Sequence, residues 1–188
     1  MSQTKTAVIS LLIASALAIP ALSQAQTPAP VASGSAAMTL NKADQKAVTD
    51  MALSNMAEVA TGKMALAKSQ NPQVKAYAQK MIDDHTAAQG DVTALAQAKG
   101  VTLPTDLDAK HKAMAAMLDK LSGDAFDKAY MKNAGITDHN QTHDKLTKAA
   151  SKAKDPDVKA AATKMMPVVE QHLQLAKQQP AATAGNAK

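Results

Sequence analysis

One type of helix start occurs twice in this chain, and its two copies organise the sequence around them. The first is Asn71-Pro72-Gln73-Val74-Lys75, and the second is Asp155-Pro156-Asp157-Val158-Lys159. An Asn or Asp side chain can accept the free backbone N–H groups of a first helical turn, and proline is favoured at the first helical position. Each start follows a long segment with apolar residues at helical spacing. The repeat therefore predicts two antiparallel helical hairpins.

Five metal-ligating side chains lie at similar distances from these two prolines. Equal distances from a hairpin turn mean equal heights in the two helices. Counted from Pro72 or Pro156, the five side chains fall within about one helical turn, which takes roughly 3.6 residues. We therefore expect a His/Glu belt at one level of the hairpins. Its members are Glu58, His85, His139, His143 and His172.

The composition favours closely packed helices. Aromatic residues make up only 2% of the 188 residues, while alanine and the 11 methionines supply much of the apolar content. Sheet cores favour aromatic and β-branched residues instead. The chain has no cysteine, which excludes disulfides and thiolate metal sites. All of its basic residues are lysine, so its net charge of +5 argues poorly for nucleic-acid binding, where arginine is preferred.

Residues 1–25 resemble an export signal. Lys5 precedes an apolar run from 7 to 18, and Ser23-Gln24-Ala25 is a small-x-small cleavage site. We expect a signal peptide at 1–25, a flexible linker at 26–40, a helical domain at 41–178 and a disordered tail at 179–188. This predicts an exported protein of the periplasm or cell envelope with no transmembrane span in the mature chain. An uncleaved membrane anchor is the alternative.

The apolar spacing predicts a sequence of long helices with one short helix among them. The predicted ranges are 42–68, 71–99, a short helix at 105–121, 122–150, and a last helix from 155 onward that Pro167 should kink. No strand pattern occurs. Two long hairpins need a crossover between them, which residues 100–122 can supply. We therefore predict an all-α protein with a ferritin-like four-helix bundle of two antiparallel hairpins and a short crossover helix.

An ordered set of motifs resembles the bacterial domain of unknown function family 4142. The resemblance covers Ala43 to Lys177 and implies a ferritin-like fold and export, but no established reaction. Its recurring Glu and His positions correspond here to Glu58, His85, His139 and His172. The motifs are Glu58-Val59, Asn71-Pro72-x-Val74-Lys75-x-x-Ala78-x-x-Met81-x-x-Asp84-His85, Gly100-Val101-x-Leu103-Pro104, Ser122-Gly123-x-x-Phe126-Asp127-x-x-Tyr130, Asp138-His139, Asp155-x-x-Val158-Lys159 and Pro167-x-x-x-x-His172-Leu173.

Two interpretations of the His/Glu belt stay open at this point. Imidazole and carboxylate groups together suit iron, copper, zinc or manganese. A metal held by histidine should dissociate below about pH 6, since free histidine has a pKa near 6.5. The alternative is a buried polar layer without metal, in a non-catalytic structural or stress-protective envelope protein. Its expected hydrogen-bond partners are Asn55, Asp84, Asp138 and Asn140.

Oxygen-activating di-iron chemistry fits the sequence poorly. Di-iron bundles carry Glu-x-x-His on two helices. Here Ile82 precedes His85 by three residues and Val169 precedes His172 by three, so the bridging carboxylates are missing. Glu170 lies only two residues from His172 and should point to another face. A metal-dependent redox enzyme is thus the weakest of three functional hypotheses.

Two smaller patterns are weaker candidates for a site. His111, Met114 and Met117 lie along one helix side, where imidazole and thioether groups suit Cu(I). Core packing is the commoner role of such a methionine stripe, with His111 then partly exposed. Asp83 and Asp84 beside His85 could form an acid–base group, but adjacent helical residues diverge.

Overall fold

A computed structural model of the chain describes residues 39–179, and this part is entirely α-helical apart from one π-helical stretch and the connecting turns. The all-α prediction is confirmed, with no strand between residues 39 and 179. The expected signal peptide, most of the linker and nearly all of the tail lie outside the described residues. The helices are α1 (Lys42–Lys68), α2 (Pro72–Ala98), α3 (Ala109–Asp119), α4 (Gly123–Tyr130), the π segment (Met131–Asp138), α5 (His139–Lys152) and α6 (Pro156–Gln178).

Both proline starts form as the sequence predicts. Asn71 Oδ1 accepts the backbone N–H groups of Gln73 and Val74 at 2.9 and 3.4 Å, and Pro72 opens α2. Asp155 caps α6 in the same way, ahead of Pro156. The capping side chains satisfy donors that have no partner inside the helix. Helix α6 then continues through Pro167 to Gln178.

The crossover between α2 and α4 is more extended than predicted. Gly100 follows the end of α2 with φ 65°. This left-handed conformation costs glycine little and is common after a helix. Val101 N–H then donates to Ala96 O at 2.8 Å. The short helix begins at Ala109 instead of 105, because the Asp108 carboxylate accepts the His111 N–H at 2.9 Å and fixes the helix start there.

The π segment joins α4 to α5 in one continuous run of helix, with right-handed helical backbone at both junctions. A π turn holds more residues than an α turn, since its hydrogen bonds reach five residues instead of four. One row of buried positions in this run therefore recurs at every fourth residue, whereas an α-helix has about 3.6 residues per turn. These positions are Phe126, Tyr130, Ala134, Asp138, Thr142 and Leu146.

The helices pack in pairs that leave a polar layer between two apolar clusters. Helix α1 packs along α2 and α5 along α6, while α1 also contacts α5 and α2 contacts α6. Gly62 allows the close approach of α1 and α2, since a Cβ there would lie 3.1 Å from Ala78 O. The buried histidines of α2, α5 and α6 lie between the two clusters along the chain. One cluster contains Val48, Val92 and Val169, and the other contains Met81, Phe126 and Ala176.

A buried aspartate connects the start of α1 to the α5–α6 turn. Asp44 is 2% exposed. Its carboxylate accepts the backbone N–H groups of Lys154 and Asp155 at 2.9 and 2.8 Å. One carboxylate thus satisfies two backbone donors of the α5–α6 turn.

Replacing Asp44 by alanine should lower the free energy of unfolding by about 2 kcal/mol, because both donors lose their acceptor. Urea denaturation measures this. Asp50→Ala is the control, since Asp50 forms only a solvent-accessible pair with Lys46. Loss of that pair should cost about 0.5 kcal/mol. Equal effects of the two substitutions would contradict the role given to Asp44.

Candidate metal centre

Three histidines from three helical segments converge inside the protein. His85 of α2, His139 at the start of α5 and His172 of α6 are 3%, 1% and 0% exposed. The distances between their ring centroids are 5.2 to 5.6 Å. One nitrogen from each ring lies within 4.8 Å of the others. We call His85, His139 and His172 the histidine triad.

One ring nitrogen of each triad histidine lies within hydrogen-bond distance of an oxygen outside the triad. His85 Nδ1 lies 2.9 Å from Asn55 Oδ1, and His139 Nδ1 lies 2.9 Å from the backbone oxygen of Ala134. His172 Nε2 lies 2.7 Å from Asp84 Oδ2. An amide oxygen, a carbonyl oxygen and a carboxylate all accept, so each of these outer nitrogens carries the proton. This assignment fixes the tautomer of all three neutral rings.

One nitrogen of each ring is left over and keeps its lone pair. These nitrogens are Nε2 of His85, Nε2 of His139 and Nδ1 of His172. His85 Nε2 is buried without a hydrogen-bond partner. His139 Nε2 and His172 Nδ1 lie 3.4 Å apart, but two unprotonated nitrogens cannot form a hydrogen bond with each other. A cation between them would be bound by all three lone pairs.

Burial keeps the triad uncharged at neutral pH. It lowers the pKa of His139 to about 4, although the hydrogen bond to Ala134 opposes this effect, and the neighbouring His172 lowers the pKa further. Burial and the two neighbouring rings lower the pKa of His85 well below its usual value. Burial also lowers the pKa of His172, against the opposing effect of Asp84. Neutral imidazole is the form that binds metals, so proton competition should begin at a lower pH than free histidine would suggest.

Asp84 links the triad to the surface of the protein. Its carboxylate is partly exposed and also accepts a hydrogen bond from Lys80 Nζ at 2.8 Å. Burial alone would raise the pKa of Asp84, but the hydrogen bonds from Lys80 and His172 outweigh it and lower the pKa. The carboxylate therefore stays charged at neutral pH and holds the His172 ring in one orientation.

Glu58 lies beside the triad, on the outer side of His139. Its Oε1 is 3.4 Å from His139 Nδ1, the nitrogen that points away from the other two rings. The side chain is almost fully buried, and neither carboxylate oxygen has a hydrogen-bond partner. Burial, and then repulsion from Asp138, raises the pKa of Glu58 well above its usual value. The structure thus places Glu58 next to a triad ring, separate from the converging nitrogens.

The other residues predicted for this layer have different positions. His143 is half-buried and does not join the triad. Of the four expected partners, Asn55 and Asp84 do bind triad rings. The prediction for Asp138 is wrong, because it pairs with Lys110 and lies 3.4 Å from His111 Nε2. The prediction for Asn140 is also wrong, since its exposed amide donates to the backbone oxygen of Ile136.

The residues of the two weaker candidate patterns do not group as the sequence suggested. His111 is 1% exposed, against the expectation of partial exposure, and its Nδ1 lies 2.8 Å from Asp108 Oδ1. Met117 is 37% exposed, so it does not share the surroundings of His111. Asp83 is exposed and accepts a hydrogen bond from Gln79, which leaves Asp84 as the only one of the two adjacent aspartates bound to a triad histidine.

One element of the centre was not predicted from the sequence. The backbone oxygen of Ala134 accepts the His139 Nδ1–H, and Ala134 lies within the π segment. π turns are frequently found at functional sites. No residue type in 131–138 indicates this turn, so the sequence offered no signal for it.

These features define an all-helical protein with a buried three-histidine cluster. The chain belongs to the family described as Domain of unknown function (DUF4142), which matches residues 29–178. No curated protein and no solved structure matches the chain significantly. Among the described helices, none is both long and apolar enough to cross a membrane.

Proposed function

We propose that this protein is an exported, ferritin-like four-helix bundle that binds one transition-metal ion through His85, His139 and His172. The observation that carries the proposal is the contact of each triad ring with an oxygen acceptor outside the triad. Each outer N–H is held by an amide oxygen, a carbonyl oxygen or a carboxylate, and each inner nitrogen keeps its lone pair. Metal-binding histidines almost always have such outer partners, which orient the ring and raise its basicity.

The distances within the triad are close to those of a three-histidine metal site. Metal–nitrogen bonds of about 2.0–2.1 Å in a tetrahedral site place neighbouring nitrogens about 3.3 Å apart. His139 Nε2 and His172 Nδ1 are already 3.4 Å apart. His85 would have to move closer, since one nitrogen from each ring lies within 4.8 Å of the others. Three protein ligands leave a fourth tetrahedral position for a ligand from solvent.

The ligand set favours copper or zinc over manganese. Neutral imidazole suits Cu, Zn, Fe and Ni, whereas Mn prefers carboxylate and water oxygens. Glu58 lies on the outer side of His139, and Asp84 contacts the outer nitrogen of His172, so neither is placed as a bridge between two ions. Glu170 accepts a hydrogen bond from Gln174 instead. We therefore propose a single ion and not a di-iron centre.

The bundle topology and export are supported by local features. Short connections separate α1 from α2 and α5 from α6, and short connections make antiparallel neighbours. The contacts of α1 with α5 and of α2 with α6 bring the two pairs together. The charged start, apolar run and cleavage site of residues 1–25 support export to the periplasm or cell envelope.

Metal stoichiometry tests the proposal directly. Protein purified from a periplasmic extract and stripped with a chelator should bind close to one equivalent of Zn²⁺ or Cu²⁺, measured by calorimetry and elemental analysis. Intact mass of the same sample reports whether residues 1–25 have been removed. Folded protein that binds no transition metal would support the alternative, in which the histidines form only a hydrogen-bonded structural layer.

A further inference from the structure

A cavity leads from the surface between α2 and α6 to one triad residue. Its volume is about 390 Å³, and it reaches His85. Much of the lining is apolar, with Ala87 and Ala88 on α2 and Val168 and Val169 on α6. We call this opening the α2–α6 window. A second cavity of about 330 Å³ lies between α1 and α5 and contains no triad residue.

Two polar contacts between α2 and α6 flank the window. The exposed Asp91–Lys164 pair connects the helices at 2.7 Å, and the Asp84–His172 hydrogen bond connects them again at 2.7 Å. Because Ala87 and Ala88 are small, α2 places no large side chain at these two positions between the contacts. Val168, at 39% exposure, is one of only two large apolar side chains in the described range that are exposed.

Protein groups lie against the outer nitrogens of all three triad rings. Asn55 of α1 covers the outer side of His85, and Ala134 O with Glu58 covers the outer side of His139. Asp84 covers His172 and itself lines the window. His85 is the triad member that lines this cavity, so the cavity reaches the triad at the His85 ring.

We infer that the α2–α6 window is the entrance through which the metal ion, and a small fourth ligand such as water or azide, reach the histidine triad. This inference rests on the proposed metal site. The short side chains of the window admit a partly hydrated ion. The charged residues of the lining are paired, Lys80 with Asp84 and Lys164 with Asp91, so none is free to hold a large polar molecule. A chelator then removes the metal only after the ion has left through the same opening.

A bulky residue at the mouth of the window tests the route. Val168→Trp should slow both metal uptake and chelator-driven release by at least 10-fold, because a steric obstacle raises the barrier in both directions. The equilibrium affinity should change by less than threefold, since the triad and its partners are unchanged. Stopped-flow mixing with Zn²⁺ and a chromophoric chelator measures both rates. Ala87→Trp, on the opposite wall, should have the same effect.

Ala160→Trp is the matched control, because Ala160 is exposed on α6 but lies outside the window. Its rates should equal those of the wild type. Wild-type rates in folded, metal-binding Val168→Trp and Ala87→Trp proteins would overturn the entry route and leave the metal site standing. A wild-type protein that takes up no metal would instead overturn the proposed function.

Azide tests the fourth position separately. Copper-loaded wild type should bind azide, seen as a new charge-transfer band, and Val168→Trp should take it up at least 10-fold more slowly at equal copper content. Equal azide uptake rates in the two proteins would show that the small ligand arrives by another path.

Discussion

Replacing His139 by alanine should lower the affinity for Zn²⁺ or Cu²⁺ by more than 100-fold. Loss of an outer partner of a metal-binding histidine typically weakens binding by about 10- to 100-fold, so loss of the ligand itself should exceed that range. His139 Nε2 also lies 3.4 Å from His172 Nδ1. Competition titration with a chelator of known affinity measures the change, and His172→Ala should give a comparable loss.

His143→Ala is the control for this substitution. His143 lies one helical turn further along α5, is half-buried and contributes no nitrogen to the triad. Its replacement should leave the affinity within about threefold of the wild type. The metal affinity of Asp84→Asn should lie between those of His139→Ala and His143→Ala. The amide still orients the His172 ring, but it no longer supplies a negative charge. If His143→Ala lost as much affinity as His139→Ala, the ligand set would have to include His143.

The level of the site was predictable because two prolines fix it. Pro72 and Pro156 start their helices as expected, and counting residues from them places His85, His139 and His172 at one level. Height depends only on residue number once the helix starts are known.

The direction of each side chain was less predictable where the helix departs from α geometry. The π segment changes the rotation per residue just before His139, so side-chain directions counted with α-helical spacing are wrong beyond it. Thr142 is buried in place of His143. Glu58 lies at the predicted height, but its direction around the helix axis brings it to the outer nitrogen of His139. Counting residues from the turn predicts height only, and it cannot show which side of a ring a side chain contacts.

Metal-free protein should lose stability as the pH falls from about 6.5 to about 4. In the unfolded chain His139 binds a proton near pH 6.5, whereas in the folded protein its pKa is about 4. Between these values the unfolded state holds more protons, so the free energy of unfolding falls with pH. His139 alone should contribute about 3 kcal/mol of this loss by pH 4. The lowered pKa values of His85 and His172 act in the same direction. Urea denaturation of chelator-treated protein at several pH values measures the slope.

Glu58 acts in the opposite direction and provides the most specific test of this account. Its pKa is raised in the folded protein, so the folded state keeps a proton that the unfolded state releases above about pH 4.3. Stability from this group is therefore present at low pH and is lost as the pH rises. Glu58→Gln keeps the shape and stays neutral at every pH. It should be more stable than the wild type at pH 7 and should lose stability more steeply between pH 6.5 and 4.5, since the histidines then act without opposition. A Glu58→Gln protein with the wild-type pH profile would show that Glu58 is ionised, and therefore that a positive group on the His139 side compensates its charge.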